Sequence, residues 1–369
     1  MFKLEARLQP SKLMSLASPL LALALTVLIG MALFALLGKD PVRGLQMFFV
    51  EPASSLYALS ELSVKATPLI LIALGLAVAF RANVWNIGAE GQFVVGALAA
   101  GWVAMQAGPA TAWLGRGIVV PIIVAGVLGG MAWAAIVALL RDRFNANEIL
   151  VSLMLVYVAE MLLGWLVYGP WKDPQGYNFP QTIGFLAETR IPRLVAGLRA
   201  HIGLLIALLA VALFWVFLFR TYRGFALQVG GLAPAAARYA GFSARSAVWS
   251  SLLISGAMAG LAGGLEAAGP LGQLTPHVPA GYGFAAIIVA YVGRLHPLGI
   301  VFSGLLMSLF YIGGELAQSR MGLPKSLTGV FQGLLLVTLL ACDTLILYRL
   351  RWRSNGRMHR AALAAQKEG

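Results

Sequence analysis

The stretch "ATPLILIALGLAVAFRANVWNIGAEGQFVVGALAAGW", residues 66–102, holds two apolar runs separated by a short polar segment. The two runs belong to predicted spans at residues 62–80 and 90–106, close to the length of about 20 residues that a membrane-spanning helix needs. The polar segment, "NVWNIGAEGQ" at residues 83–92, carries Asn86, Glu90 and Gln92 beside two glycines. A charged side chain at the centre of a membrane helix costs about 2.5–3.5 kcal/mol. We therefore expect Glu90 to face protein or a water-filled cavity rather than lipid.

The composition of the whole chain is that of a membrane protein. Of its 369 residues, 60% are hydrophobic and only 11% are charged, whereas a soluble domain carries about 25% charged residues. The predicted fold is an all-α polytopic transmembrane bundle with broken or re-entrant segments, because the third and eighth of its spans are short and bounded by glycine. About ten spans are predicted, at residues 17–38, 62–80, 90–106, 118–140, 149–168, 202–219, 247–268, 282–294, 297–313 and 326–348.

The net charge of +13 has two interpretations, nucleic-acid binding and the cytoplasmic bias of Lys and Arg in membrane proteins. The basic residues stand at the ends of spans, which favours the second interpretation and a lipid bilayer rather than nucleic acid as the partner. Both termini are then predicted to be cytoplasmic, with residues 1–16 before the first span and a basic tail at 349–369. The first apolar run, Leu16 to Gly38, is longer than the core of a signal peptide and is predicted to be retained.

Most signatures of catalysis are missing from the sequence. The string "GLPKS" at 322–326 lacks the spacing of a phosphate-binding loop, and no G-x-S-x-G elbow occurs. The four histidines are far apart in sequence, so neither a metal site nor a catalytic residue is predicted. The single cysteine, Cys342, supports no disulfide. If the protein moves a solute uphill, the energy must come from a partner or from an ion gradient.

A second informative stretch is "RTYRGFALQVGGLAPAAARYAGFSARS", residues 220–246, on the side predicted to be cytoplasmic. Pro234 suits the first turn of a helix, the alanines after it are strong helix formers, and Gly241 suits the helix end. A short helix is therefore predicted near 234–240. So short a helix is marginally stable alone, so it should pack either on a partner or on its own spans.

Four ordered motifs resemble one known family. They are "FRANVWNIGAEGQ" from residue 80, "NEILVSLMLVYVA" at 147–159, "ARYAGFSARSAVWSSLLISGAMAGLAGGLEAAG" and "GYGFAAIIVAYVGRLHPLGIVFSGLL" at 281–306. They resemble the permease subunits of bacterial ABC importers, in the superfamily of branched-chain amino acid, simple sugar and nucleoside permeases, and within it the nucleoside-type branch. The resemblance runs from about residue 60 to residue 345.

The resemblance implies a single transmembrane permease domain over residues 1–369, in a bacterial cytoplasmic (inner) membrane. Such a chain forms half of a translocation path for a nucleoside or a related small polar solute. Its implied partners are an ATP-binding subunit, a second permease subunit that is often a different chain, and an extracytoplasmic substrate-binding protein. No cofactor is expected in this chain, because ATP and Mg²⁺ bind to the partner ATPase.

The resemblance also suggests two sets of site residues. Candidates for the substrate path are polar and aromatic, and they are Trp85, Asn86, Glu90, Gln92, Tyr282 and Phe284. Candidates for coupling to the ATPase lie in the 220–246 loop, and they are Pro234, Ala236, Arg238, Tyr239 and Gly241. For Tyr282 and Phe284 ordinary helix packing remains open. Asn86 and Glu90 could equally cap the next helix, with Glu90 paired to Arg81 or held by backbone amides.

Two other classes of protein remain as alternatives. An ion-coupled secondary transporter would need a buried carboxylate relay, for which Glu90, Glu160 and Glu266 are available. An intramembrane enzyme acting on lipid would need clustered acidic residues or histidines at the membrane interface, and the sequence contains no such cluster.

Overall fold

The computed structural model describes residues 2–7, 9 and 11–352. These residues are mostly helical, with two short strands and a long irregular loop at 169–202. In chain order the elements are β1 Phe2–Ala6, α1 Lys12–Leu36, α2 Pro41–Leu45, α3 Leu56–Arg81, α4 Ala89–Met105, α5 Val119–Phe144, α6 Glu148–Tyr168, α7 Gly203–Arg220, α8 Tyr222–Leu232, α9 Pro234–Tyr239, α10 Ala244–Glu266, α11 Tyr282–Val292, α12 Pro297–Met321, α13 Ser326–Leu347 and β2 Tyr348–Trp352. Short π or 3₁₀ segments lie at Gln46–Val50, Glu51–Ala53, Pro109–Ile118 and Ala267–Leu271.

Eight helical segments among the described residues are long and apolar enough to cross a membrane, and α4 and α11 are shorter apolar helices. Together they correspond one for one to the ten predicted spans, which confirms the all-α polytopic fold. The side of the membrane on which each end lies stays a prediction.

The chain divides into two compact units. The first contains residues 1–45 and 329–369. Within it, the hydroxyls of Thr26 and Thr338 lie 2.9 Å apart and Ser18 donates a hydrogen bond to Asp343, so α1 and α13 are joined by buried polar contacts as well as apolar ones. Strands β1 and β2 pair antiparallel, a pairing that the sequence analysis did not predict. Most of the predicted basic tail, residues 353–369, lies outside the described residues.

The second unit contains residues 46–328 and is built around α3. Every residue of α3 from Ala66 to Phe80 is buried. Beside it, α4, α5 and α10 approach one another closely through glycines. A Cβ atom added at Gly260 of α10 would overlap the backbone of Gly126 and Gly130 on α5. Small residues let membrane helices pack backbone against backbone where no hydrophobic effect drives them together.

The path of the chain between α10 and α12 is broken. After the π turn at Ala267–Leu271, residues 272–281 form no regular helix, and α11 has only 11 residues, about 16 Å at the rise of an α-helix. That is about half the 30 Å hydrocarbon thickness of a bilayer. The long loop at 169–202 packs on this break, where the amide of Phe185 donates to the carbonyl of Gly272 at 2.8 Å. The eighth predicted span is thus a short continuous helix that follows an irregular segment, and whether it is re-entrant stays a prediction.

Candidate functional site

The polar segment between α3 and α4 is non-helical over residues 82–88. The chain leaves α3 through Asn83, whose φ of 55° lies in the left-handed region that asparagine tolerates better than most residues. The side chain of Asn83 accepts a hydrogen bond from the indole of Trp85 at 3.2 Å. These contacts hold the chain in a compact bend before α4 begins at Ala89.

Asn86 and Gln92 form a closed pair inside the bundle. Asn86 donates to Gln92 Oε1 at 2.9 Å and to Ser255 Oγ at 2.9 Å. Its Oδ1 accepts from Gln92 Nε2 at 3.1 Å and from the amide of Gly88 at 3.1 Å. Both side chains are fully buried, and the amide group of Asn86 has all its donors and acceptors satisfied. The pair therefore fixes the bend against α10.

Glu90 joins the two broken regions of the fold. Its carboxylate accepts hydrogen bonds from the amides of Gly281, at 2.8 Å, and Gly283. These amides lie at the N-terminus of α11, where free N–H groups and the helix dipole favour a negative charge. Glu90 is 1% exposed, and a Cβ at Gly283 would overlap its backbone. Glu90 thus caps α11, not the helix that it belongs to.

The suggested pairing of Glu90 with Arg81 is wrong, whereas the suggested backbone amides are present. Arg81 donates instead to the carbonyl of Leu295 at 3.0 Å and to Gln228 Oε1 at 2.7 Å. Its guanidinium also lies 5.2 Å from the ring centroid of Phe219. Arg81 therefore ties the end of α3 to α8 and to the turn between α11 and α12.

Aromatic side chains lie at both ends of α11. Near its C-terminus, Tyr291 stacks on Phe80 with ring centroids 5.4 Å apart, and Trp85 lies 6.4 Å away in a nearly parallel plane. At its N-terminus, Tyr282 packs edge-on against Phe93 at 5.8 Å. We call these the C-terminal aromatic set (Phe80, Trp85 and Tyr291) and the N-terminal aromatic set (Phe93, Tyr282 and Tyr311).

The predicted substrate-path residues therefore differ in exposure. Trp85 is 38% exposed and Phe284 is 40% exposed, whereas the other four are nearly or fully buried. Glu90 and Tyr282 lie together at the start of α11. Trp85 lies at the other end of that helix. Contact between these six residues and a solute stays a prediction.

Several polar residues that sequence reasoning missed lie near the N-terminus of α11 or of α3. Lys65 and Glu315 form an ion pair of 3.0 Å between α3 and α12, and Glu61 pairs with Arg199 at 3.2 Å. His201 is buried. Its burial, and to a lesser extent the nearby charge of Arg199, lowers the pKa of the imidazole to about 4, so the ring is neutral near pH 7. Lys65 lies within the predicted span 62–80, so a search for charges inside spans could have found it.

The predicted short helix in the 220–246 loop is present as α9. Pro234 stands in its first turn, and Gly241 follows it with a φ of 80° in the left-handed region. Ala237 is the buried residue of α9, while Tyr239 is 98% exposed. Pro234, Ala236 and Arg238 are also exposed, so α9 presents most of its surface outward. The preceding helix, α8, was not predicted.

A cavity of about 560 Å³ lies beneath α9, bounded by α8, the first half of α10 and the segment that follows α3. Its lining is mixed, with aromatic side chains such as Tyr222 and Phe242 beside Arg223 and Arg238. An exposed short helix over a cavity is a surface on which another chain could dock.

Residues 58–340 match the model of a protein family described as the permease component of the branched-chain amino acid transport system. The chain belongs to this family of permeases. The permease is 35% identical to a glucose ABC transporter permease of Haloferax volcanii over 90% of its own length and 89% of the relative's. It is 31% identical to a guanosine ABC transporter permease of Bacillus subtilis, covering 86% of this chain and 91% of the relative. No solved structure matches it.

Family membership makes the permease a multi-pass membrane subunit of an ABC transporter. It is not itself an enzyme, because ATP hydrolysis in such transporters belongs to a partner subunit. The alternative of an ion-coupled secondary transporter is therefore wrong. A second guanosine permease of Bacillus subtilis also matches, at 28% identity, and two nucleoside permeases of Lactococcus lactis match at 27%. Because these relatives occur as two permeases in one organism, they imply two partners for this chain, an ATPase subunit and a second permease subunit.

Proposed function

We propose that this permease forms one half of the import path for a nucleoside or a related sugar in a bacterial cytoplasmic membrane. The observation that carries the solute class is the similarity to permeases named for guanosine, nucleosides and glucose. The second permease is a different chain, as the paired relatives within one organism suggest. An extracytoplasmic binding protein delivers the solute, and both termini of the permease lie in the cytoplasm.

The proposed path runs along α11. Transporter sites of this kind are often built where helices are interrupted near the middle of the membrane, because free helix ends and irregular backbone offer polar groups there. Here the bend at 82–88 and the start of α11 are joined by the carboxylate of Glu90. Trp85 and Phe284, the two exposed aromatic candidates, can present flat apolar faces to a base or a sugar ring. Asn86, Glu90, Gln92 and Tyr282 shape the path by holding these elements in position.

The proposed coupling surface consists of Pro234, Ala236, Arg238, Tyr239 and Gly241. The ATPase subunit binds ATP and Mg²⁺, and its ATP-driven closure must favour one arrangement of the spans if it is to drive transport. Because α9 lies between α8 and α10 and exposes Tyr239 almost completely, a shift of the ATPase can be transmitted to α10. Tyr and Arg are among the residue types enriched at interface hot spots.

The test is co-purification of the ATPase with variants of the complete transporter. Tyr239→Ala should weaken the retention of the ATPase by about tenfold or more. Gly241→Val should have a similar effect, since a β-branched residue strains a left-handed backbone position. Both variants should insert normally and lose solute-stimulated ATP hydrolysis.

A matched control is Tyr177→Ala in the 169–202 loop, where the tyrosine is 92% exposed. It removes the same exposed side chain from a loop that we predict to lie on the opposite side of the membrane, so ATPase retention should be unchanged. If Tyr239→Ala and Gly241→Val retain the ATPase as well as this control does, α9 is not the docking surface.

A further inference from the structure

An ion pair lies beside the N-terminal aromatic set. Lys65 Nζ of α3 is 3.0 Å from a carboxylate oxygen of Glu315 on α12. The same ammonium group lies 5.9 Å from the ring centroid of Tyr282. Tyr282 in turn packs against Tyr311 with ring centroids 5.3 Å apart. Two opposite charges and two phenol rings thus meet at the start of α11.

This ion pair is only partly shielded by the protein. The side chain of Glu315 is 57% exposed and that of Lys65 is 23% exposed. Charged residues in membrane-spanning helices almost always face the bundle interior or a water-filled cavity, because exposure to hydrocarbon is costly. The exposed residues of α12 change from apolar, at Leu298 and Phe302, to charged at Glu315. That change fits a surface that leaves lipid and enters water.

The ion pair is rigidly connected to the break in the fold. The hydroxyl of Tyr311 donates to the carbonyl of Ala280 at 3.1 Å, and the next amide along the chain, that of Gly281, donates to Glu90. A site held by such a supporting shell keeps its polar groups in a fixed geometry. Any solute bound beside Lys65 would therefore contact the backbone segment that starts α11.

We propose that Lys65, Glu315 and Tyr311, above the ring of Tyr282, bind the hydroxyl groups of an uncharged polyhydroxylated solute, an inference that rests on the proposed import function. The ammonium group donates hydrogen bonds and the carboxylate accepts them, while the phenol oxygen of Tyr311, whose proton goes to the carbonyl of Ala280, accepts them as well. Hydroxyl groups on neighbouring carbons need that mixture. The pair itself has no net charge, so it gives neither an anionic nor a cationic solute a net electrostatic attraction. The tyrosine rings offer apolar faces to the C–H groups of a sugar.

The experiment uses the complete transporter in liposomes, with its ATPase, second permease and binding protein, and measures uptake of guanosine and of glucose. Lys65→Met and Glu315→Gln should each raise the KM for the transported solute by about tenfold or more, because a hydrogen bond to a charged group is lost. Excess guanosine monophosphate or glucose 6-phosphate should not inhibit this uptake. Inhibition by either phosphate would overturn the assignment to an uncharged solute.

The matched control is Glu51→Gln, which breaks the ion pair of Glu51 with Arg320 on the same α12 and should leave the KM unchanged. The swapped variant Lys65→Glu/Glu315→Lys separates binding from structure. It keeps an ion pair between α3 and α12 but exchanges donor and acceptor, so it should not recover the KM of the unmodified chain. Full recovery would show that the pair only bridges helices.

The outcomes separate this site from the proposed function. If the unmodified transporter takes up neither guanosine nor glucose, the proposed substrate class is wrong. If it takes up one of them, and Lys65→Met and Glu315→Gln fold normally with an unchanged KM, the import function stands and the hydroxyl site is wrong.

Discussion

At the scale of single residues, the carboxylate of Glu90 has the most consequential position. It accepts a hydrogen bond from Gly281, 191 residues further along the chain, and so connects two interruptions of the helical structure. Each of its oxygens accepts a hydrogen bond from a backbone amide. Replacing the carboxylate therefore leaves a buried amide of Gly281 or Gly283 without an acceptor. Each buried unpaired donor costs about 1–3 kcal/mol.

We therefore expect Glu90→Gln to lower thermal stability in detergent and reduce transport while still inserting. The side-chain NH₂ group of the introduced glutamine is a hydrogen-bond donor, and it must face a backbone amide that is also a donor. Glu90→Leu should lower the amount of folded protein further, because both amides lose their acceptor. Fluorescence-detected size-exclusion chromatography after heating measures both effects. Glu188→Gln, in an exposed loop position, is the control and should behave as the unmodified chain; equal behaviour of all three variants would contradict the capping role.

The burial of Glu90 was predictable from the sequence, but its partner was not. A carboxylate between apolar runs must avoid lipid, which is a local argument. The identity of the amides depends on how α11 folds back into the bundle, and nothing near residue 90 encodes that. The choice between Arg81 and backbone amides therefore had to stay open until the long-range contact was known.

At the scale of elements, the crossing of α4, α5 and α10 depends on glycine. Gly260→Val should separate α10 from α5, since the added atoms meet backbone that cannot move aside as a side chain can. Overpacking a tight interior costs about 1–3 kcal/mol. Gly164→Val is the matched control, because Gly164 is also helical but has nothing within 4 Å of an added Cβ. Thermal melting of the two variants in detergent should differ clearly, and equal melting temperatures would contradict the close crossing.

Sequence reasoning placed the apolar parts of the helices well and their polar ends less well. The span predicted at 326–348 is α13, Ser326–Leu347. The spans predicted at 62–80 and 297–313 are too short, since α3 begins at Leu56 and α12 continues to Met321. Their missing turns contain Glu61 and Glu315, whose charges interrupt the apolar pattern without ending the helix. Helix α8 was missed for a different reason, because its three glycines are typical of a loop.

At the scale of the whole molecule, the basic residues predict both termini in the cytoplasm. A reporter that is active only outside the cytoplasm should be silent when fused at residue 355 and active when inserted within 172–190. The reverse pattern would overturn the orientation and would place α9 on the wrong side for an ATPase. Hydropathy predicts how many times the chain crosses the membrane, whereas the direction of crossing is set by the excess of Lys and Arg on the cytoplasmic side.

The short helix α11 has a consequence for how the permease is made. With 11 residues, it is too short for an insertion machinery to accept as an independent membrane segment, since a stable span needs about 20. Its N-terminal amides need an acceptor inside the bundle, and that acceptor, Glu90, is synthesised long before it. Helices α3 and α4 are therefore inserted before α11 can pack against them. The bundle around α11 is completed only after most of the chain has left the ribosome.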